Sequence, residues 1–198
     1  MKKSLILGIV SFGALALSSY GQGVVLGNYT GDSGFIGAPI TYSANSNVAG
    51  KNGLVIGSGF TGEFYYSLDN GVTFNPLAST IQAFYGVDGG NSAVDASGYS
   101  AGILVSIPSW TSGAVKFYWS VSNNTTIGGY APGLITGQST VFSLTPVTDP
   151  SPSHPDMSAA VGYSAFTVSA APVPEPSTLA LAGLGGFGML MALRRKKA

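Results

Sequence analysis

Cysteine is absent from the 198-residue sequence, and histidine occurs once, at position 154. The absence of cysteine excludes disulfides, thiol catalysis and cysteine-ligated metal sites, and it indicates nothing about the cellular compartment. With neither cysteine nor a second histidine, the chain cannot build a typical zinc site. His154 lies in a proline-rich stretch, and we interpret it as a solvated loop residue rather than the base of a catalytic triad.

Charged residues are scarce, at 8% of the chain against about 25% in ordinary globular proteins. Six of the eight cations lie near the two ends, and only Lys51 and Lys116 lie between residues 22 and 171. That stretch holds seven carboxylates, which leave it with a net charge of about −5: Asp32, Glu63, Asp69, Asp88, Asp95, Asp149 and Asp156. Binding to nucleic acid is not expected, because two lysines cannot neutralise several phosphates.

Glycine and aromatic residues are plentiful, with 29 Gly, ten Tyr and ten Phe. This composition does not fit a disordered chain, which is rich in charge and poor in aromatics. Residues 114–122, AVKFYWSVS, alternate apolar and polar side chains and predict a half-buried strand with Val115, Phe117, Trp119 and Val121 on one face. Residues 102–108, GILVSIP, predict a similar strand that ends at a proline.

Other short strands are predicted between glycine-rich turns, and no sustained helical period occurs between residues 22 and 171. The pattern predicts an all-β chain with an antiparallel β-sandwich or jelly-roll-like body over residues 22–171. Proline-rich residues 145–155 predict an extended loop before the last strand. The further predicted strands are Val24–Asn28, Ile40–Ser43, Gly53–Ile56, Glu63–Leu68, Val72–Asn75, Ile81–Tyr85, Val141–Leu144 and Tyr163–Val168.

Residues 67–74, SLDNGVTF, predict a hairpin, because Asn70-Gly71 can adopt the positive φ angles of a tight turn. The stretch resembles the Asp-box pattern of sialidases and other β-propellers. The resemblance implies that Asp69 caps the turn and that Phe74 packs beneath it. One copy does not make a propeller, which needs several repeated blades. We therefore transfer no catalytic role from this motif.

The first 21 residues predict a signal peptide followed by export. Lys2 and Lys3 precede an apolar run from Leu5 to Leu17, which is short for a membrane span but fits the core of a signal peptide. Small residues at the end of this segment place cleavage by signal peptidase between Gly21 and Gln22.

The last residues predict a second membrane signal. Leu179 to Leu193 carry no charge, and a helix that starts near Pro176 would have about twenty residues, just enough to cross a bilayer. A basic run follows and would hold this end on the cytoplasmic side: Arg194, Arg195, Lys196 and Lys197. Because four glycines weaken the helix, we expect a transient anchor in the inner membrane.

Residues 172–198 closely resemble the PEP-CTERM sorting signal of exported proteins of Gram-negative bacteria, a tail also catalogued as the ice-binding-protein C-terminal domain. The resemblance rests on Pro174-Glu175-Pro176, the apolar span and the basic run, in that order. It implies that an exosortase-type membrane protease recognises Pro174, Glu175 and Pro176 and cuts the tail. The body would then reach the cell surface or the extracellular matrix, where such proteins accompany polysaccharide and biofilm.

The acidic residues of the body form no catalytic, cofactor-binding or metal site that the sequence can assign. Asp88, Asn91 and Asp95 could supply oxygen ligands to calcium, but their spacing is not that of an EF-hand. A glycosidase would need Glu63 to face Asp88 or Asp95 across a cleft. We favour the simpler interpretation that these acids cap turns.

We therefore expect a non-catalytic protein of the cell surface or extracellular matrix, without a cofactor, whose partner is an extracellular polysaccharide. The alternatives are a dedicated binding module for carbohydrate or ice, and, less favoured, a glycan-active enzyme. No regular Thr-x-Thr ladder of the kind an ice-binding face would need is visible in the sequence.

Overall fold

The computed structural model describes residues 23–30, 33–147 and 154–172. The predictions for the signal peptide, its cleavage between Gly21 and Gln22, the Pro174–Pro176 motif, the apolar span and the basic run lie outside these residues. Within the described residues, no helix combines the length and the apolar character needed to cross a bilayer.

The described residues are built mainly of short strands, which confirms an all-β chain. Helical structure in this part of the chain is limited to the four-residue helix α1 (Ser92–Asp95) and a 3₁₀ turn at Met157–Ala159. The strands, in chain order, are β1 (Val24–Leu26), β2 (Tyr29–Thr30), β3 (Gly34–Phe35), β4 (Thr41–Tyr42), β5 (Phe60–Ser67), β6 (Asn75–Ala83), β7 (Ile103–Val105), β8 (Val115–Asn123), β9 (Ile135–Gln138), β10 (Phe142–Leu144) and β11 (Thr167–Ala170).

The main sheet has the strand order β4-β11-β9-β8-β5-β6, with β10 pairing with β8 beside β9. Strand β8 is its centre, because it pairs along its whole length with β5 and shares its other edge between β9 and β10. Strands β4 and β11 are parallel, with Thr167 opposite Thr41. The prediction of a purely antiparallel arrangement is therefore wrong at this edge. Strands β1–β7 and β2–β3 form two further antiparallel pairs.

The alternation predicted for β8 is confirmed. The side chains of Val115, Phe117, Trp119 and Val121 are fully buried, and the residues between them lie on the partly exposed face. The core gathers around Trp119, whose ring stacks on Phe64 with centroids 4.7 Å apart. Burial of this apolar face is the main force that holds the sheet to the rest of the body.

Strand β6 differs from the prediction, which split this region into Val72–Asn75 and Ile81–Tyr85. It is one strand at the edge of the main sheet, where Pro76 is tolerated because the outer edge needs no ladder hydrogen bond. Its register against β5 shifts between Gly62 and Phe64. At this bulge the hydroxyl of Thr80 accepts a hydrogen bond from the Phe64 amide at 2.9 Å, in place of a backbone carbonyl.

Other departures are smaller. Strands β2, β3 and β9 were not predicted, and β11 begins later than the predicted Tyr163–Val168. Residues 53–56 pair with β4 through one bridge, between Val55 and Thr41. Strand β9 carries Gly137, where a Cβ would lie 2.4 Å from the Thr167 carbonyl oxygen of β11. The glycine that obscures this strand in the sequence is the residue that lets β11 approach.

Candidate functional site

Four aromatic side chains form a connected cluster at the surface near β2 and β3. The ring of Tyr29 lies 5.0 Å from Phe35 and 5.9 Å from Tyr85, and Phe35 lies 4.6 Å from Tyr99, all between centroids. Tyr29, Phe35 and Tyr85 are 36%, 47% and 40% exposed. Aromatic side chains left this open in a contiguous group mark an interaction surface more often than a structural one.

A cavity of about 330 Å³ opens beside this cluster, and we call it the aromatic groove. Strand pairing brings distant segments together around it: β1 pairs with β7, and Tyr29 bridges to Ala101. Its walls combine aromatic and aliphatic side chains with a few polar groups: Val25, Tyr29, Thr30, Tyr85, Ala101, Gly102, Leu104, His154 and Asp156. This size and this mixture are typical of small-ligand sites.

His154 lies in a loop, as predicted, and its side chain lines this groove. Its side chain is half-buried and packs beside Gly23, where a Cβ would lie 3.3 Å from the imidazole Cδ2. The loop is held there because the Val25 amide donates a hydrogen bond to the Pro155 carbonyl. The imidazole therefore contributes a polar group to the groove wall.

Asp156 holds the segments around the groove in place, and its carboxylate is already engaged in hydrogen bonds. Its carboxylate accepts hydrogen bonds from the hydroxyls of Thr30, Ser33 and Ser158 and from the Ser158 amide. Burial alone would raise the pKa of Asp156, but the hydrogen bonds from Ser158, Ser33 and Thr30 outweigh it and lower the pKa. The carboxylate thus stays ionised and ties the loop at residue 156 to β2.

The three residues considered for calcium each have a separate structural partner. The carboxylate of Asp88 accepts hydrogen bonds from the Gly57 amide and the Tyr42 hydroxyl, both at 2.9 Å, and lies 3.8 Å from the Lys51 ammonium. Asn91 caps α1, and the hydrogen bond from Ser97 lowers the pKa of Asp95. Among the described residues there is no group of three acidic or histidine side chains that could hold a metal ion.

Glu63 lies elsewhere, on the partly exposed face of β5, where its carboxylate accepts a hydrogen bond from the Tyr65 hydroxyl at 3.1 Å. The shallow groove beside it, about 230 Å³ in volume, is lined by Thr61, Gly62, Glu63, Tyr65, Ile81, Ser120 and Ser122. Neither Asp88 nor Asp95 is among these lining residues. The structure therefore does not bring together the pair that glycoside hydrolysis would need.

The turn after β5 has the chemistry predicted for it. Asn70 and Gly71 have φ values of 60° and 93°. The Asp69 carboxylate accepts hydrogen bonds from the Ser67 hydroxyl and from the amides of Val72 and Thr73. The ring of Phe74 packs against Tyr118 at 4.8 Å. Asp69 acts as the cap of this turn, as the resemblance implied.

These contacts predict how the turn responds to acid. The hydrogen bond from the Ser67 hydroxyl, with those from Thr73 and Val72, lowers the pKa of Asp69 to about 2 from 3.8. Because the folded-state pKa is depressed, the stabilisation is complete above about pH 4 and is lost as the pH falls through 2. Ser67→Ala is expected to raise the pKa of Asp69 towards 3.8, measured by NMR titration of its carboxyl. An unchanged pKa of Asp69 would show that the Ser67 hydroxyl does not stabilise the Asp69 carboxylate.

The C-terminal residues are the part of the chain that indicates its destination. Residues 172–196 match the family model of the PEP-CTERM protein-sorting motif. The chain carries a PEP-CTERM tail. This motif is the C-terminal tail of exosortase substrates, so the protein is exported and sorted by exosortase towards the cell surface or the extracellular space. In comparisons with curated proteins and with solved structures, nothing matches the chain.

The aromatic groove itself was not predicted for this PEP-CTERM protein. Its residues are separated by up to 131 positions, from Val25 to Asp156, and they meet only through strand pairing. The abundance of tyrosine and phenylalanine was the one sequence signal that pointed to such a surface.

Proposed function

We propose that this exported PEP-CTERM protein is a non-catalytic component of the cell surface or extracellular matrix and binds an extracellular polysaccharide in the aromatic groove. Signal peptidase would remove residues 1–21, and the tail would anchor the protein in the inner membrane until exosortase acts. The observation that carries the binding role is the exposure of Tyr29, Phe35 and Tyr85 around a groove lined with polar groups.

Sugars suit this surface for chemical reasons. A pyranose ring has an apolar face of C–H groups, which packs on an aromatic ring, and a rim of hydroxyls, which needs hydrogen-bond partners. The groove supplies rings from Tyr29 and Tyr85 and polar partners from Thr30 and His154. Among the described residues that line it there is no lysine or arginine, so these residues offer no permanent cation to an acidic sugar. A neutral glycan fits best.

The carboxylates support binding rather than catalysis. Asp156 is the one carboxylate among the described residues that line the groove, and its oxygens are occupied by hydroxyl and amide donors. The lowered pKa of Asp156 keeps it ionised near neutral pH, whereas a general acid must hold a proton there. A glycosidase also needs a second carboxyl across the sugar.

Ice binding would use the partly exposed face of the main sheet, and it is less well supported than polysaccharide binding. Strand pairing aligns one row of hydroxyls, Thr61, Ser122, Thr136 and Ser169, across β5, β8, β9 and β11. The next row carries Glu63, Ser120 and Gln138 instead. An ice-binding face would require the hydroxyl row to repeat.

The proposed binding role predicts that removal of one aromatic ring weakens polysaccharide binding. Tyr85→Ala is expected to weaken binding of the host's neutral exopolysaccharide about tenfold, which corresponds to ~1.4 kcal/mol. The free energy of unfolding should change little, because the ring is 40% exposed. Affinity electrophoresis of the released protein in polysaccharide-containing gels measures this.

A matched control is Val72→Ala, which trims an apolar side chain that is 84% exposed on the Asp69 turn. It should bind like the wild type. Equal retardation of wild type and Tyr85→Ala would show that the aromatic groove is not the binding site. Release of reducing ends from the polysaccharide by the wild-type protein would show that it is not merely a binding protein.

A further inference from the structure

A second cavity lies beside the aromatic groove, with strands β2 and β3 between them. It has a volume of about 360 Å³, and Ser33, Phe35, Ser158 and Tyr163 are among the residues that line it. Like the aromatic groove it is open to solvent and combines an exposed ring with hydroxyl groups. None of the described residues that line it carries a charged side chain. We call it the second groove.

The two grooves meet at one pair of rings. Tyr29 lines the aromatic groove and Phe35 lines the second groove. These residues are cross-strand partners in the β2–β3 pair, and their ring centroids lie 5.0 Å apart. A ligand that stacks on both rings would therefore extend into both grooves without leaving the protein surface.

The same carboxylate network supports both grooves. Asp156 lines the aromatic groove, and Ser158, two residues later, lines the second groove. The Asp156 carboxylate accepts hydrogen bonds from Thr30 on one strand of the β2–β3 pair, from Ser33 next to the other, and from Ser158. Asp156 is thus a positioning residue that fixes the two grooves relative to each other.

One polar atom of the second groove lacks a partner. The Tyr163 hydroxyl is buried and makes no hydrogen bond within the described part of the chain. Burial raises the pKa of Tyr163, so the group is a neutral phenol that can donate or accept. A buried hydroxyl without a partner costs stability, and a rotation of this side chain that let a ligand hydroxyl reach it would offset that cost.

We propose that the two grooves form one continuous site for an internal segment of a neutral polysaccharide, with sugar units on both sides of the Tyr29–Phe35 ring pair. This inference rests on the proposed function and adds to it a chain length and a mode of recognition. Each groove alone has the volume of a small ligand site, and the pair accommodates several sugar units in line. Because both grooves are open, the site would take the middle of a chain rather than its end.

The test is a length series on the full exported protein. A ladder of oligosaccharides from two to eight units is prepared by partial hydrolysis of the host's neutral exopolysaccharide, and the Kd of each is measured by calorimetry. Affinity is expected to rise at least tenfold between two and six units and then to level off. A chain whose reducing end is blocked should bind as tightly as an unblocked one of equal length.

Three variants distinguish the contributions of the two grooves. Tyr85→Ala should weaken binding of short and long ladder members alike. Phe35→Ala should weaken the six-unit member about tenfold and the two-unit member much less. Tyr163→Phe keeps the ring and removes the hydroxyl without a partner, so the fold is retained, and a threefold or greater loss with the six-unit member alone is expected.

The outcomes distinguish the two proposals. If affinity is already maximal at two units and only Tyr85→Ala weakens it, the continuous site is wrong and the aromatic groove remains a glycan site. If no ladder member binds to the wild type, the proposed function fails, and the continuous site fails with it.

Discussion

Trp119→Ala is expected to lower the free energy of unfolding by about 3–5 kcal/mol, the range measured for removal of large buried aromatics. Trp119 is fully buried at the centre of β8. Its ring stacks on Phe64 and on Phe84, with centroids 4.7 Å and 5.3 Å away, and makes an edge-to-face pair with Phe166 at a centroid distance of 5.9 Å. Since the free energy of unfolding of a domain is about 5–15 kcal/mol, this variant would lose a large share of its stability.

Trp119→Phe is the matched control for this loss. It retains a ring between Phe64 and Phe84 and removes the indole N–H, which has no hydrogen-bond partner among the described residues. Because no hydrogen bond is lost, the cost should be well below that of alanine. Urea unfolding followed by circular dichroism compares the three proteins. A loss below 1 kcal/mol for Trp119→Ala would contradict the central position assigned to this ring.

The centre of the sheet could be predicted because its signal is local. In β8, apolar and polar residues alternate from Val115 to Ser122, and such alternation has one structural explanation, a strand with one buried face. Strand β6 gives no such signal, since Leu77 and Thr80, three residues apart, are its buried positions. The bulge opposite Phe64 produces that spacing, and a bulge depends on the partner strand.

The same distinction separates the parts of the candidate sites. The cap formed by Asp69 could be predicted because all its hydrogen bonds lie between Ser67 and Thr73. The aromatic groove could not, because Tyr29, Tyr85 and His154 come from separate segments that meet only in the folded body. His154 was correctly expected in a loop, but its proline-rich surroundings do not predict that it lines the groove.

The PEP-CTERM tail can be recognised from its local sequence alone. A variant that blocks its proteolytic removal is expected to have the largest effect on where the protein is found. In the native host, wild-type protein is expected to lose the residues after the Pro174–Pro176 motif. Glu175→Ala should keep Arg194 to Ala198 and remain in the membrane fraction. The reason is that Glu175 is the one charge between Pro172 and Leu193, so it offers a membrane protease the clearest feature to recognise. Intact mass and fractionation measure both properties.

Ser177→Ala is the control for this experiment, because it changes a side chain one residue beyond the motif and leaves Pro174-Glu175-Pro176 intact. It should be processed like the wild type. If wild type and Glu175→Ala both keep the full tail, residues 179–193 act as a permanent anchor, and the body could contact polysaccharide only at the membrane. If both lose it, recognition does not use the carboxylate. In either case of processing, loss of the tail releases the body, and with it both grooves, into the matrix where a long polysaccharide chain could lie across them.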